Sequence, residues 1–190
     1  MSAPDPLDLA RLFAEAGRRA YGESVSQLAH ALQCAALACR DRADDEVIVA
    51  ALLHDIGHLV ESGDDRPEHH HGSGGAALVR PFVTPRIAWL IEHHVVAKRY
   101  LCTVDARYVE RLSPVSRRSY AAQGARLTLE ERLGLETQPW FADAVRLRRW
   151  DDAAKVPGAP CAPLVEYARL LERRFGPQAW VAEAGLDGRS

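Results

Sequence analysis

No two of the four cysteines, Cys34, Cys39, Cys102 and Cys161, form a CxxC pair. Their surroundings (ALQCAALACR, YLCTVD) read as small buried residues in a reducing compartment, not as a disulfide frame. Cys34 follows His30 by one helical turn, but better metal ligands lie elsewhere in the chain. No apolar run approaches the roughly 18 residues that a spanning helix needs. The start, MSAPDPLDLARLF, has no basic stretch leading into an apolar one, so the expectation is a cytoplasmic protein with no membrane partner. Charge is nearly balanced, with 24 Lys and Arg against 26 Asp and Glu. No overall field therefore recruits nucleic acid or an acidic membrane, and an anionic substrate must be held by local cations. An alternating strand pattern, an internal repeat and low-complexity sequence are also missing.

What is present is helical. With 190 residues and 47% apolar content, the chain suits a single domain over 1–190, with a core from about 7 to 175 and a small polar tail. Apolar spacing predicts helices at Leu7–Arg19 and, behind an N-cap at Ser24, through VSQLAHALQCAALACR to about Arg40. Asp44 caps a third, DEVIVAALLHDIGHLV, apolar nearly all round and so placed at the centre of a bundle. ESGDDRPEHHHGSGG reads as a long loop. Helical pattern returns at Gly75–Arg80 and Arg86–Leu101, then over 104–112, 114–123, 128–135, 140–149 and 162–174. The fold class is all-α.

All eight histidines fall within residues 30–94. The sharpest feature is His54-Asp55-Ile56-Gly57-His58. Imidazole beside carboxylate supplies nitrogen and oxygen donors suited to divalent metals, and the two oxygens of Asp55 can bridge two ions. His58 stands one turn after His54 and borders the same site. Gly57 removes a side chain where a ligand would approach. An uncompensated Asp in the most apolar helix of the chain would cost several kcal/mol, which favours metal binding over a solvated pair. Further ligands are His30, one of His69-His70-His71 (His71 is favoured), His94 and a late carboxylate.

In the helix after Pro85, Ile87, Leu90, Ile91, His94, Lys98 and Leu101 share one stripe, while His93 points elsewhere and is expected at the surface. Lysine on a core-facing stripe is expensive unless it meets an anion. Lys98 therefore reads as an anion-binding group one turn from His94.

In order, His30, His54-Asp55, His71, His94 and Asp151 resemble the ligand set of the HD-domain superfamily, which includes phosphohydrolases and mixed-valent di-iron oxygenases. QLAHALQCA, VIVAALLHDIGH, LIEHHVVAKRYL, SRRSYAAQG and RRWDDAAKVPG are similar to the oxygenases of bacterial phosphonate catabolism, of the 2-amino-1-hydroxyethylphosphonate dioxygenase type, from about Leu12 to Phe175. The resemblance implies an HD-domain helical bundle and two iron ions in an Fe(II)/Fe(III) pair. His30, His54, Asp55 and Asp151 would hold one, and Asp55 would bridge to the second on His71 and His94. It further implies phosphonate contacts from His58, Lys98, Ser116, Gln123 and Arg148, an amine contact from Glu23, and Tyr21 covering an open metal position. The implied reaction is O2-dependent cleavage of a carbon–phosphorus bond in a small-molecule organophosphonate, giving glycine and phosphate from the amino substrate, with a phosphonate hydroxylase supplying it.

One departure stands out. Tyr21-Gly22-Glu23 is one residue shorter than the YxGE spacing of that family. A changed turn suits a different amine, such as a trimethylammonium group giving glycine betaine, which aromatic neighbours attract. An HD phosphohydrolase, using the same ligands and a metal-bound hydroxide, is a further alternative; a non-catalytic sensing module is a weaker one.

Overall fold

In the computed structural model, the described residues are 12–13, 15, 17, 24–60 and 71–175. Among them are helices and no β-strand. The first expected helix, Tyr21, Glu23, His69, His70 and the tail lie wholly or largely outside the described residues.

Helix α1 (Gln27–Arg40) starts at Ser26, whose hydroxyl accepts from the Ala29 amide at 3.2 Å. The expected cap, Ser24, instead donates to the Lys155 carbonyl at 3.3 Å. Helix α2 (Asp45–Leu53) is capped as expected by Asp44, which accepts from the Glu46 and Val47 amides. Val47, Val49, Leu52 and Leu53 are all but inaccessible, and each contributes about 2 kcal/mol by leaving water. α2 is thus the central element, packed against α1, α5 and α9.

The long helix expected through HDIGHLV is broken. Residues 54–56 form a tight jog, with Ile56 donating to Leu53, His58 to Asp55 and Leu59 to Ile56 before the short α3 (Gly57–Val60). Neighbours on an unbroken helix diverge by about 100°. The jog lets His54 and Asp55 turn toward one site.

Helix α4 (His71–Val79) begins at His71 instead of Gly75. Its glycines allow close packing: a Cβ on Gly72 would stand 2.9 Å from the Val95 side chain, and one on Gly75 3.1 Å from the Gly57 nitrogen. That contact outweighs glycine's poor helix propensity. Helix α5 (Pro85–Val104) is capped by Thr84, with Pro85 in its first turn, where no amide partner is needed. The short α6 (Tyr108–Arg111) leads to α7 (Pro114–Ala122), which Gln123 closes ahead of Gly124 at φ 92°. α8 (Leu129–Glu136) opens on a capping box between Thr128 and Glu131. α9 (Phe141–Ala153) runs four residues beyond the expected end and so includes Asp151. A 3₁₀ turn (Leu164–Tyr167) packs on α10 (Ala168–Phe175), which lies against α2. Cys34 and Cys102 are buried as expected, but Cys39 is exposed and Cys161 is half-buried. No described helix is long and apolar enough to cross a membrane.

Candidate metal centre

Four helices and the jog bring distant donors to one place. His30 comes from α1, His54 and Asp55 from the jog, His71 from the first residue of α4, His94 from α5 and Asp151 from α9. His30, His54, His94 and Asp151 are under 5% exposed, and His71 is 7% exposed.

The donors form two groups that share Asp55. Its Oδ2 lies 3.5 Å from Nε2 of both His30 and His54, while its Oδ1 lies 3.5 Å from His94 Nε2 and 3.9 Å from His71 Nε2. One carboxylate thus turns one oxygen to each group. Asp151 joins the first, with Oδ1 at 3.3 Å from His30 and Oδ2 at 3.9 Å from His54.

The imidazoles are oriented from behind. Nδ1 of His30 faces the Ala154 carbonyl at 2.9 Å, that of His54 the Ala51 carbonyl at 2.9 Å, and that of His94 the Ile91 carbonyl at 2.6 Å. A carbonyl only accepts, so each Nδ1 carries hydrogen and each Nε2 turns its lone pair inward. His30 and His54 then meet Nε2 to Nε2 at 3.1 Å, and His71 and His94 at 3.3 Å. At His30 and His54, buried lone pairs facing each other beside two carboxylates require positive charge between them. A proton can supply it on His30: burial opposes its charge, yet hydrogen bonds to Asp151 and Asp55 lift its pKa to about 10. Burial alone dominates at His54, lowering its pKa to about 4. Both carboxylates stay ionised despite burial, held far below the usual range by His54 and His30 at Asp55 and by Arg148 and Lys155 at Asp151. Such a set, all N and O, fits two divalent or trivalent cations.

Beside the donors opens a cavity of about 240 Å³. Lys98, Arg148 and Lys155 line it together with Ser116 and Ser119, and His58, stacked on His71 with ring centroids 4.3 Å apart, closes one side. The expected stripe on α5 is buried in full, and Lys98 is 3% exposed. It does not snorkel to the surface; Nζ donates to Ser119 Oγ at 2.5 Å. Burial and then the charge of Arg148 pull its pKa down to about 7.

The chain matches the HD-domain family over residues 24–133. It belongs to that family. It is 45% identical over 170 residues to hydroxymethylphosphonate dioxygenase of Gimesia maris, covering 86% of this chain and 85% of the relative. It is 33% identical over 188 residues to the glycine-betaine-forming [1-hydroxy-2-(trimethylamino)ethyl]phosphonate dioxygenase of Leisingera caerulea, covering 91% and 96%. It is also 34% identical over 157 residues to protein L432 of Acanthamoeba polyphaga mimivirus, covering 79% of this chain and 72% of the relative. This HD domain therefore stands with the phosphonate dioxygenases. Asp151 lies beyond the matched HD stretch but inside the cluster.

Three residues sit differently from expectation. Gln123 closes α7 and lines a second hollow with Glu92 and Arg99, and is not among the residues lining the 240 Å³ cavity. Gly57 does not make room for a ligand; a Cβ there would meet the His71 carbonyl oxygen at 2.2 Å. His93 is half-buried, stacked on Trp89 at 3.8 Å. Sequence reasoning missed Ser119 and Lys155. Lys155 sits in the KVPG turn, which carries no periodicity; only its place four residues after Asp151 hinted at the site.

Proposed function

We propose that this protein is a di-iron oxygenase that uses O2 to cleave the carbon–phosphorus bond of a 1-hydroxyalkylphosphonate. The observation that carries the reading is a pair of donor groups that share Asp55 and open directly onto a cavity lined by Lys98, Arg148 and Lys155. His30, His54, Asp55 and Asp151 would hold one iron and Asp55, His71 and His94 the other, as an Fe(II)/Fe(III) pair. Bound there, the irons would supply the electron transfer that O2 chemistry needs.

The rest is binding and orientation. A phosphonate dianion suits Lys98, Arg148 and Lys155, with Ser116, Ser119 and His58 as hydrogen-bonding partners. A bound dianion returns the Lys98 ammonium to its charged form. The buried walls keep water from competing for these donors.

The relative at 45% identity is named for hydroxymethylphosphonate, which carries no amine. Among the described residues, the carboxylates lining the cavity are Asp55 and Asp151, both committed to metal. Hydroxymethylphosphonate is therefore placed first. The balance is HOCH2PO3(2−) + O2 → HCOOH + HPO4(2−). Glu23 supports a second reading, 2-amino-1-hydroxyethylphosphonate giving glycine, and the trimethylammonium analogue, named in the relative at 33% identity, is third. In each case a hydroxylase that installs the 1-hydroxyl would supply the substrate. Four unpaired cysteines suit the cytoplasm, where we place the reaction.

The test is to load the protein with ferrous iron and ascorbate and offer each phosphonate in air. Oxygen uptake equal to phosphate release supports the oxygenase, and the organic acid formed names the substrate. Phosphate release from a phosphomonoester under argon, with none from the phosphonates in air, would replace it with a hydrolase.

A further inference from the structure

Behind Asp151 lies a chain of polar groups, Arg148, Asp152 and Tyr108, of which only Arg148 lines the cavity. Arg148 is 4% exposed. Its Nη1 donates to Asp151 Oδ2 at 2.7 Å, and its Nε donates to Asp152 Oδ2 at 3.0 Å, with Nη2 closing a second bond to Asp152 Oδ1. Tyr108, from α6, donates its hydroxyl hydrogen to the same Asp152 Oδ2 at 2.6 Å. One guanidinium is thus shared by two carboxylates, only one of which faces the metal site. The second is itself shared with a tyrosine.

We propose that Asp152 and Tyr108 are positioning residues that set how strongly Asp151 binds its metal, acting through Arg148. The inference rests on the two-metal reading of the site. Asp152 competes with Asp151 for the positive charge of Arg148. The stronger the clamp on Asp152, the less Arg148 neutralises Asp151, and the better Asp151 serves as a ligand. Tyr108 limits the competition, because its hydrogen bond takes up part of the charge on Asp152 Oδ2. Partners behind a metal-bound carboxylate change metal affinity by about 10- to 100-fold.

The two residues therefore act in opposite directions. Asp152→Asn frees Arg148 to commit to Asp151, and affinity at that site falls by about tenfold. Tyr108→Phe tightens the clamp, and affinity there rises by about two- to threefold. Asp152→Glu, which keeps the carboxylate, stays within about twofold of the parent. The ion held by Asp55, His71 and His94 is unaffected by all three.

The probe is cobalt(II), titrated into the full chain against a competing chelator and read by its visible spectrum, with sites assigned by repeating the titration in a His94→Ala background. Thermal melts run alongside, since Asp152→Asn and Tyr108→Phe each weaken or lose a part-buried hydrogen bond and should melt lower. Opposite movement of the first-site affinity, with a lower melting point in each, supports the proposal. Movement in the same direction, equal movement at both sites, or no movement overturns it. Cobalt binding needs no O2 turnover, so failure of the oxygenase assay would leave this result readable.

Discussion

Gly57 lies so close to His71 that a Cβ on it would stand 2.2 Å from the His71 carbonyl oxygen and 2.9 Å from the carbonyl carbon. The contact joins the jog carrying His54 and Asp55 to the first turn of α4, and so sets the distance between the two metal groups. Backbone cannot move aside as a flexible side chain would. Gly57→Ala is expected to cost about 2–4 kcal/mol and to lose bound metal. Urea unfolding and metal analysis on the same sample measure both.

The split of Asp55 between the two groups predicts unequal losses of metal. Asp55→Ala should retain almost none, whereas His94→Ala should fall from about two ions per chain to about one. Metal content after desalting checks this. Equal loss in the two variants would mean that the groups are not bridged.

Metal removal should also destabilise the fold, because a single proton on His30 then replaces the cations among the buried donors and Asp55 and Asp151. Chelation is expected to lower the melting midpoint by several degrees, and iron or cobalt at about 100 times its Kd to return about 2.7 kcal/mol. Calorimetry with and without chelator measures it.

Lys98 gives a pH-dependent prediction. In the metal-free protein its pKa is near 7 against an ordinary 10.5, set by burial and by Arg148 and Lys155, with Asp151 and Asp152 opposing. The folded state therefore holds fewer protons than the unfolded chain between these values, and stability contributed at this position rises with pH across that window. Burial of the charged lysine is most costly below pH 7. Lys98→Met should raise the melting midpoint of metal-free protein by about 5 °C at pH 6 and leave it unchanged near pH 11. The same variant should weaken phosphonate binding at least tenfold in the iron-loaded enzyme, with metal retained. Thermal melts across pH and steady-state kinetics test the two halves.

The histidine donors, the helices that carry His30 and His94, and the anomalous lysine were legible in the sequence alone. Apolar spacing predicts helices too short to include His71 and Asp151, and Asp151 came from the family resemblance. Hydrophobic periodicity is a local signal, and α5 displays it over four turns, so Lys98 could be placed on the buried side before any packing was known. Donor chemistry is equally local: His54 beside Asp55 in an apolar helix needs a cation wherever the helix sits. The sequence could not show the jog at 54–56, because the same residues continue an apolar helical pattern. Only contact with α4 breaks it there. Nor could it place Gln123, which closes a helix whose rotation depends on its neighbours, or Lys155, which lies in a turn without a period. The division of Asp55 between two groups and the sharing of Arg148 between Asp151 and Asp152 belong to the tertiary structure alone. Both depend on distances between α1, α4, α5 and α9, helices separated by up to about a hundred residues of chain, which side-chain packing sets and spacing along the sequence does not.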